Sequence, residues 1–221
     1  TLDEFVELAN LVIVHDEEKG IMLFKKAESI ATTFDDYVSI GSAIKDVDKD
    51  WGKKLYEKAS NHISGLGEFN KIINNAFYDF EDHKWGSKMA NEAIKELMKA
   101  DDVFEFCEYY DALIELADEI VSENGLNDKE AAKNIFNKLI EYEAVSAQLE
   151  GGRKVIEVYG LDDEYTQEFC NKCVTRAIEF VEEGYYMDIF RFIQDDLQEE
   201  DRASDFYSEY EEECEYDEEN Y

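Results

Sequence analysis

Apolar residues recur along this chain in short stripes, each opened by an aspartate. Asp16 is followed by Lys19, Gly20, Leu23, Phe24 and Ala27. At the same spacings Asp48 leads Trp51, Gly52, Leu55, Tyr56 and Ala59, and Asp82 leads Trp85, Gly86, Met89, Ala90 and Ala93. Asp128 leads Ala131, Ala132, Ile135, Phe136 and Leu139, and Asp162 opens a weaker fifth copy with Tyr165, Thr166, Phe169, Cys170 and Cys173. Successive copies are offset by 32, 34, 46 and 34 residues. Positions +3, +7, +8 and +11 after the aspartate share one face of a helix with 3.6 residues per turn. Aspartate is a favoured N-cap, because its carboxylate accepts a first-turn N–H and its charge suits the positive helix end. Each copy therefore predicts a helix capped by its Asp, with Trp51 and Trp85 in the core. Gly or Ala at +4 admits a neighbouring helix closely.

A second stripe lies between the copies. Phe34, Tyr37, Ile40, Gly41 and Ile44 match Leu66, Phe69, Ile72, Ile73 and Ala76, and Leu2, Phe5, Leu8 and Ala9 have the same form. These read as the second helix of each unit, and the N-terminal one as the second helix of a unit whose first is missing. The 46-residue unit predicts a longer second helix over about 101–121 and a loop at Glu123–Asn127. Gly65–Gly67 and Gly151–Gly152 read as turns between helices. The chain has no proline and 11 glycines, which disfavours an all-β fold built on Gly/Pro turns. The expected fold is all-α, with eleven or twelve helices. They form an α-solenoid of stacked antiparallel helix pairs over residues 1–198, with period about 32–46, because one pair cannot bury its stripe alone.

In architecture this resembles tetratricopeptide-type and other helical-hairpin repeats. The tetratricopeptide pattern has Leu three residues after its Trp and a late Pro; here Leu55 and Met89 stand four residues after Trp51 and Trp85, and Pro is absent. The resemblance implies stacked helix pairs and carries over no peptide-binding residue.

Charge changes the picture. The 221 residues hold 56 acids against 22 Lys and Arg, a net charge of −34, where magnitudes of about 2–8 suffice for solubility of a small domain. With 44% apolar and 14% aromatic residues, the chain is not a disordered acidic polymer. A field of this size repels nucleic acid and anionic membranes and attracts basic surfaces. Residues 195–221 hold 14 acids and one base, Arg202, and are set apart as an acidic, Tyr-rich segment from 199 onward. Within it Phe206, Tyr210 and Cys214 recur every fourth residue, which predicts either one more packed helix or a frayed tail. No apolar run reaches the roughly 18 residues of a membrane helix. The N-terminus carries acids where a secretory signal carries Lys or Arg. With only four cysteines, this places the chain in the cytoplasm with reduced thiols.

Candidate chemistry is sparse. Cys170 and Cys173 form a CxxC, but they fall on core positions of the repeat and no second ligand pair accompanies them. Asp46, Asp48, Asp50 and Glu57 approach a calcium loop, yet Trp51 replaces the glycine its sharp turn needs, and the repeat makes Asp48 a cap. Phosphate-binding loops, nucleophile elbows and HExxH are absent. No catalytic residue, metal or cofactor is expected. Carboxylates at i and i+3 or i+4 of a helix lie about 5–6 Å apart, close to the phosphate spacing of a nucleic-acid strand. Glu115, Asp118 and Glu119 form one such row, and Glu209, Glu212 and Glu213 another. In size and acidity the chain resembles nucleic-acid-mimic inhibitors: anti-CRISPR and anti-restriction proteins and immunity proteins against nuclease toxins. That resemblance implies a basic protein partner, a nucleic-acid-binding enzyme such as a Cas effector or nuclease, with no direct nucleic acid or membrane contact. The expected docking residues are Asp195, Asp196, Glu199, Glu200, Asp201, Asp205, Tyr207, Glu209, Tyr210, Glu211, Glu212 and Glu213, the tyrosines being exposed. The alternatives are an adaptor binding a partner in a concave helical groove, and an acidic face that only solvates the protein.

Overall fold

A computed structural model describes residues 1–100, 102–107, 109–123, 125–181, 185–211 and 214, with Phe104 described by its backbone alone. Among the described residues there are thirteen α-helices and no strand. They are α1 (Leu2–Ile13), α2 (Glu17–Glu28), α3 (Phe34–Ile44), α4 (Lys49–Ala59), α5 (Leu66–Asn74), α6 (His83–Leu97) and α7 (Val103–Cys107). The rest are α8 (Asp111–Val121), α9 (Lys129–Leu139), α10 (Val145–Tyr159), α11 (Glu164–Phe180), α12 (Tyr186–Arg191) and α13 (Glu200–Glu209). Contacts divide the chain into two compact units, Thr1–Ala93 and Ile94–Tyr221. No helix among the described residues is long and apolar enough to cross a membrane.

The recurrent aspartates do what their spacing predicts. Asp16 accepts from the Lys19 N–H at 3.1 Å, Asp48 from Trp51 at 2.9 Å, Asp82 from Trp85 at 2.9 Å and Asp128 from Ala131 at 3.0 Å. In the fifth copy the cap is one residue later than expected. Asp163 accepts from Tyr165 and Thr166, leaving Asp162 in the preceding turn. Behind the caps the stripes are buried: Phe24 and Ala27, Leu55, Tyr56 and Ala59, Met89, Ala90 and Ala93, Ile135, Phe136 and Leu139, Phe169, Cys170 and Cys173. The +3 position is at the edge of the stripe. Trp51 is only half-buried and donates its indole N–H to Glu28 at 3.0 Å, and half-buried Trp85 packs on Phe80 beneath the Lys53 ammonium. Neither tryptophan is a fully buried core residue.

The order within a repeat is the reverse of the expected one. The closest packing joins each second-stripe helix to the Asp-capped helix that follows it: α1 with α2, α3 with α4, α8 with α9 and α10 with α11. The +4 glycines explain this. A Cβ on Gly20 would lie 2.5 Å from the Ile13 Cβ, one on Gly52 2.8 Å from the Lys45 Cα, and one on Gly86 2.7 Å from the Phe77 ring. Helix α1 is therefore the first member of a complete pair with α2, not a remnant. Two further expectations are corrected. The long helix over 101–121 is two helices, α7 and α8. Gly151 and Gly152 lie inside α10, buried, because a Cβ on Gly152 would come 2.4 Å from Phe192 Cζ.

Helices α5 and α12 end in the same way. Helix α5 continues into a π-helical turn, Asn75–Asp79, and α12 into another, Phe192–Asp196. The Phe80 N–H donates to the Asn75 carbonyl and the Asp82 N–H to that of Ala76; Leu197 to Phe192 and Glu199 to Ile193 repeat both bonds. Glu81 and Gln198 take the same left-handed conformation, at φ 54° and 58°. Helix α13 then starts where a sixth copy of the repeat belongs. Glu199 takes the cap register, and Ala203, Phe206, Tyr207 and Tyr210 take +4, +7, +8 and +11. Ala203, Phe206 and Cys214 are buried in one cluster with Val174, Ile189, Phe192 and Ile193. The segment after 198 thus begins as a packed helix.

Candidate functional site

The charge is unevenly divided. Residues 1–93 hold 18 acids and 11 bases, net −7; residues 94–221 hold 38 acids and the same 11 bases, net −27. The expected docking residues cluster on α13 and the π turn before it. Asp195, Glu200, Asp201, Asp205, Glu209 and Glu211 are exposed, and none forms an ion pair among the described residues. Asp201, Asp205 and Glu209 recur at i, i+4 and i+8, one above the other on one helical face. The opposite face is fixed by buried Ala203 and Phe206, so the row is held on a packed helix.

Other members of the set serve the fold. Asp196 is half-buried and accepts from the Arg153 guanidinium of α10 at 2.9 Å. Glu199 accepts from Arg202 at 2.8 Å, and Arg202 also donates to the Asn171 side chain at 2.6 Å. Tyr207 and Tyr210 are half-buried: Tyr207 packs edge-on to Phe190 at 5.5 Å, and Tyr210 lies 5.2 Å from the Tyr186 ring and 4.8 Å from that of Phe206. They are part of the apolar cluster, not exposed rings awaiting a partner. Glu212 and Glu213 lie outside the described residues. In the other acidic row, Asp118 of α8 is 3.1 Å from the Lys154 ammonium.

The remaining chemical candidates are structural. Cys170 and Cys173 are free and buried, and burial pushes the Cys170 thiol up to about 12 and that of Cys173 well above its ordinary value. A thiol so raised is a poor nucleophile and metal ligand near neutrality. Asp48 spends its carboxylate on the α4 cap, and no cluster of three or more His, Cys, Asp or Glu able to hold a metal occurs among the described residues. Comparison with protein-family models, with curated proteins and with solved structures finds no match to this chain.

What sequence reasoning missed is the polar surround of α13: Arg153, Asn171 and Arg202, which brace its acidic start. A signal for Arg202 existed, since it is the one base in 195–221 and sits three residues after Glu199. Asn171 and Arg153 belong to other helices and carried none.

Proposed function

We propose that this is a non-enzymatic acidic binding protein that docks on a basic, nucleic-acid-binding enzyme by imitating a polyanion. Its six helix pairs stack as an α-solenoid and present the acids of the second unit. The partner is of the Cas effector or nuclease kind, met in the cytoplasm. The observation that carries this reading is the charge asymmetry: two units of similar helix-pair construction and equal base content differ by −7 against −27. Rows such as Asp201, Asp205 and Glu209, fixed on a packed helix, offer regular negative charge without the ordering cost of a loose tail. Docking of such a row on a cationic groove releases counterions as DNA does, so affinity should fall steeply with salt.

The test is binding to a panel of Cas effectors and nucleases at low and high salt, with DNA or RNA as competitor. The expected result is capture that weakens by at least about a hundredfold between 50 and 500 mM salt and is displaced by nucleic acid. Combined Asp201→Lys, Asp205→Lys and Glu209→Lys substitution should abolish it while leaving helicity intact. Salt-indifferent binding through an apolar groove would instead identify an adaptor and sink the mimic reading.

A further inference from the structure

Next to the start of α13 lies an open pocket of about 410 Å³, within the range of about 300–1,000 Å³ usual for ligand sites. The residues that line it include Asp162, Glu199, Gln167, Asn171 and Gln198, all exposed, and Thr166. Thr166 is fully buried, yet its Oγ1 has no hydrogen-bond partner. Its backbone N–H is satisfied by Asp163, so the hydroxyl alone is left over. A buried polar atom without a partner is uncommon and calls for an explanation, and here its residue lines a cavity.

The chemistry of a ligand there follows from the walls. Carboxylates, amide oxygens and a hydroxyl accept hydrogen bonds, and the local charge is negative. A guanidinium suits such a set, because it is permanently positive and carries five donors and no acceptor. The protein supplies its own example: the Arg202 guanidinium already spans Asn171 Oδ1 at 2.6 Å and Glu199 Oε2 at 2.8 Å, two groups of the pocket wall. We propose that this pocket receives the side chain of an arginine presented by the basic partner, with exposed Asp162 and buried Thr166 as its acceptors. Arg202 competes with it for Asn171 and Glu199. The inference rests on the mimic reading for the source of the arginine, and it turns a diffuse acidic surface into one with a defined anchor.

The probe is N-acetyl-arginine methylamide, titrated into the full chain and followed by amide resonances. Its neutral isostere, the citrulline derivative, and spermidine run in parallel. The expected result is saturable binding, with shifts concentrated at Thr166, Asn171 and Glu199 and none with citrulline. Asp162→Asn should weaken binding about tenfold, as expected for loss of one charge-assisted contact. Thr166→Val should weaken it too while leaving the melting temperature unchanged or higher, since it removes a hydroxyl the fold does not use. Arg202→Ala should tighten it. Equal binding of citrulline, preference for spermidine over the arginine probe, or indifference to both Asp162→Asn and Thr166→Val would overturn the proposal. If the probe fails while the chain still captures basic enzymes with a salt slope, the pocket is wrong and the mimic reading survives. If the probe binds as described but no basic enzyme is captured, the arginine pocket survives and the mimic reading fails.

Discussion

The two units are both built of packed helices and each contains a π turn of the same kind, but they carry very different charge. The Asn75–Asp79 turn and the Phe192–Asp196 turn share backbone bonds, a left-handed residue two places after the turn, and an ion pair to the last aspartate from a base earlier in the chain. Lys45 reaches Asp79 in one, and Arg153 reaches Asp196 in the other. Side chains differ almost throughout. This teaches that the repeat tolerates a net charge of −7 and does not require −27. The acid load of the second unit is an addition to the fold, at some cost in self-repulsion.

The largest expected effect separates the two π turns. Phe192 is fully buried where half-buried Asn75 holds the matching place, its side-chain amide donating to the Lys71 carbonyl. Phe192→Ala should therefore cost about 3–5 kcal/mol of unfolding free energy, and Asn75→Ala about 1 kcal/mol, measured by chemical denaturation. Equal losses would break the comparison. Next come the close approaches. Gly152→Ala drives a methyl into Phe192, and Gly86→Ala drives one into Phe77, each costing about 1–3 kcal/mol as overpacking. If both are neutral, the tight helix contact is not what selects glycine.

Capping gives a smaller, pH-dependent contrast. The Lys53 ammonium and the Trp85 N–H hold the Asp82 carboxyl below its ordinary value of 3.8. Its folded form is favoured as the anion, so its stabilisation is fully present above that value and fades as pH falls through the lower folded value. Asp82→Ala should cost about 1 kcal/mol at neutral pH, and the difference from the parent should close in strong acid. Glu199, in the matching register, makes no side-chain cap and pairs only with half-exposed Arg202, so Glu199→Ala should cost less than Asp82→Ala at neutral pH. The smallest effects concern the surface. Arg153→Ala should cost about 0–1 kcal/mol, and added salt should raise amide-exchange protection in the second unit more than in the first by screening repulsion. An equal salt response in both units would mean that the extra acids are already compensated.

Much of the local structure was legible because its causes are local. A cap bonds a residue three positions away, and a stripe recurs within a turn or two, so Asp16, Asp48, Asp82 and Asp128 and the buried positions behind them could be read directly. The acids Asp201, Asp205 and Glu209 were named as docking residues, but their i, i+4, i+8 row on α13 was not singled out. The sixth repeat was harder to see: its cap register holds Glu199 instead of Asp, and its +8 and +11 positions hold Tyr207 and Tyr210 where other copies have smaller or fully buried residues.

By itself, then, the sequence determined the Asp-capped helices, four of their five starts and the faces they bury, since hydrogen bonds and side-chain spacing within one helix fix all three. Only the tertiary structure decided which neighbour each helix takes, that Gly151 and Gly152 sit mid-helix against another element, that Trp51 and Trp85 lie at the edge of the core, and that Tyr207 and Tyr210 pack inward. It also decided that Thr166, Asn171 and Glu199 share one pocket. Each of these depends on contacts between residues far apart in the chain, for which local periodicity carries no signal.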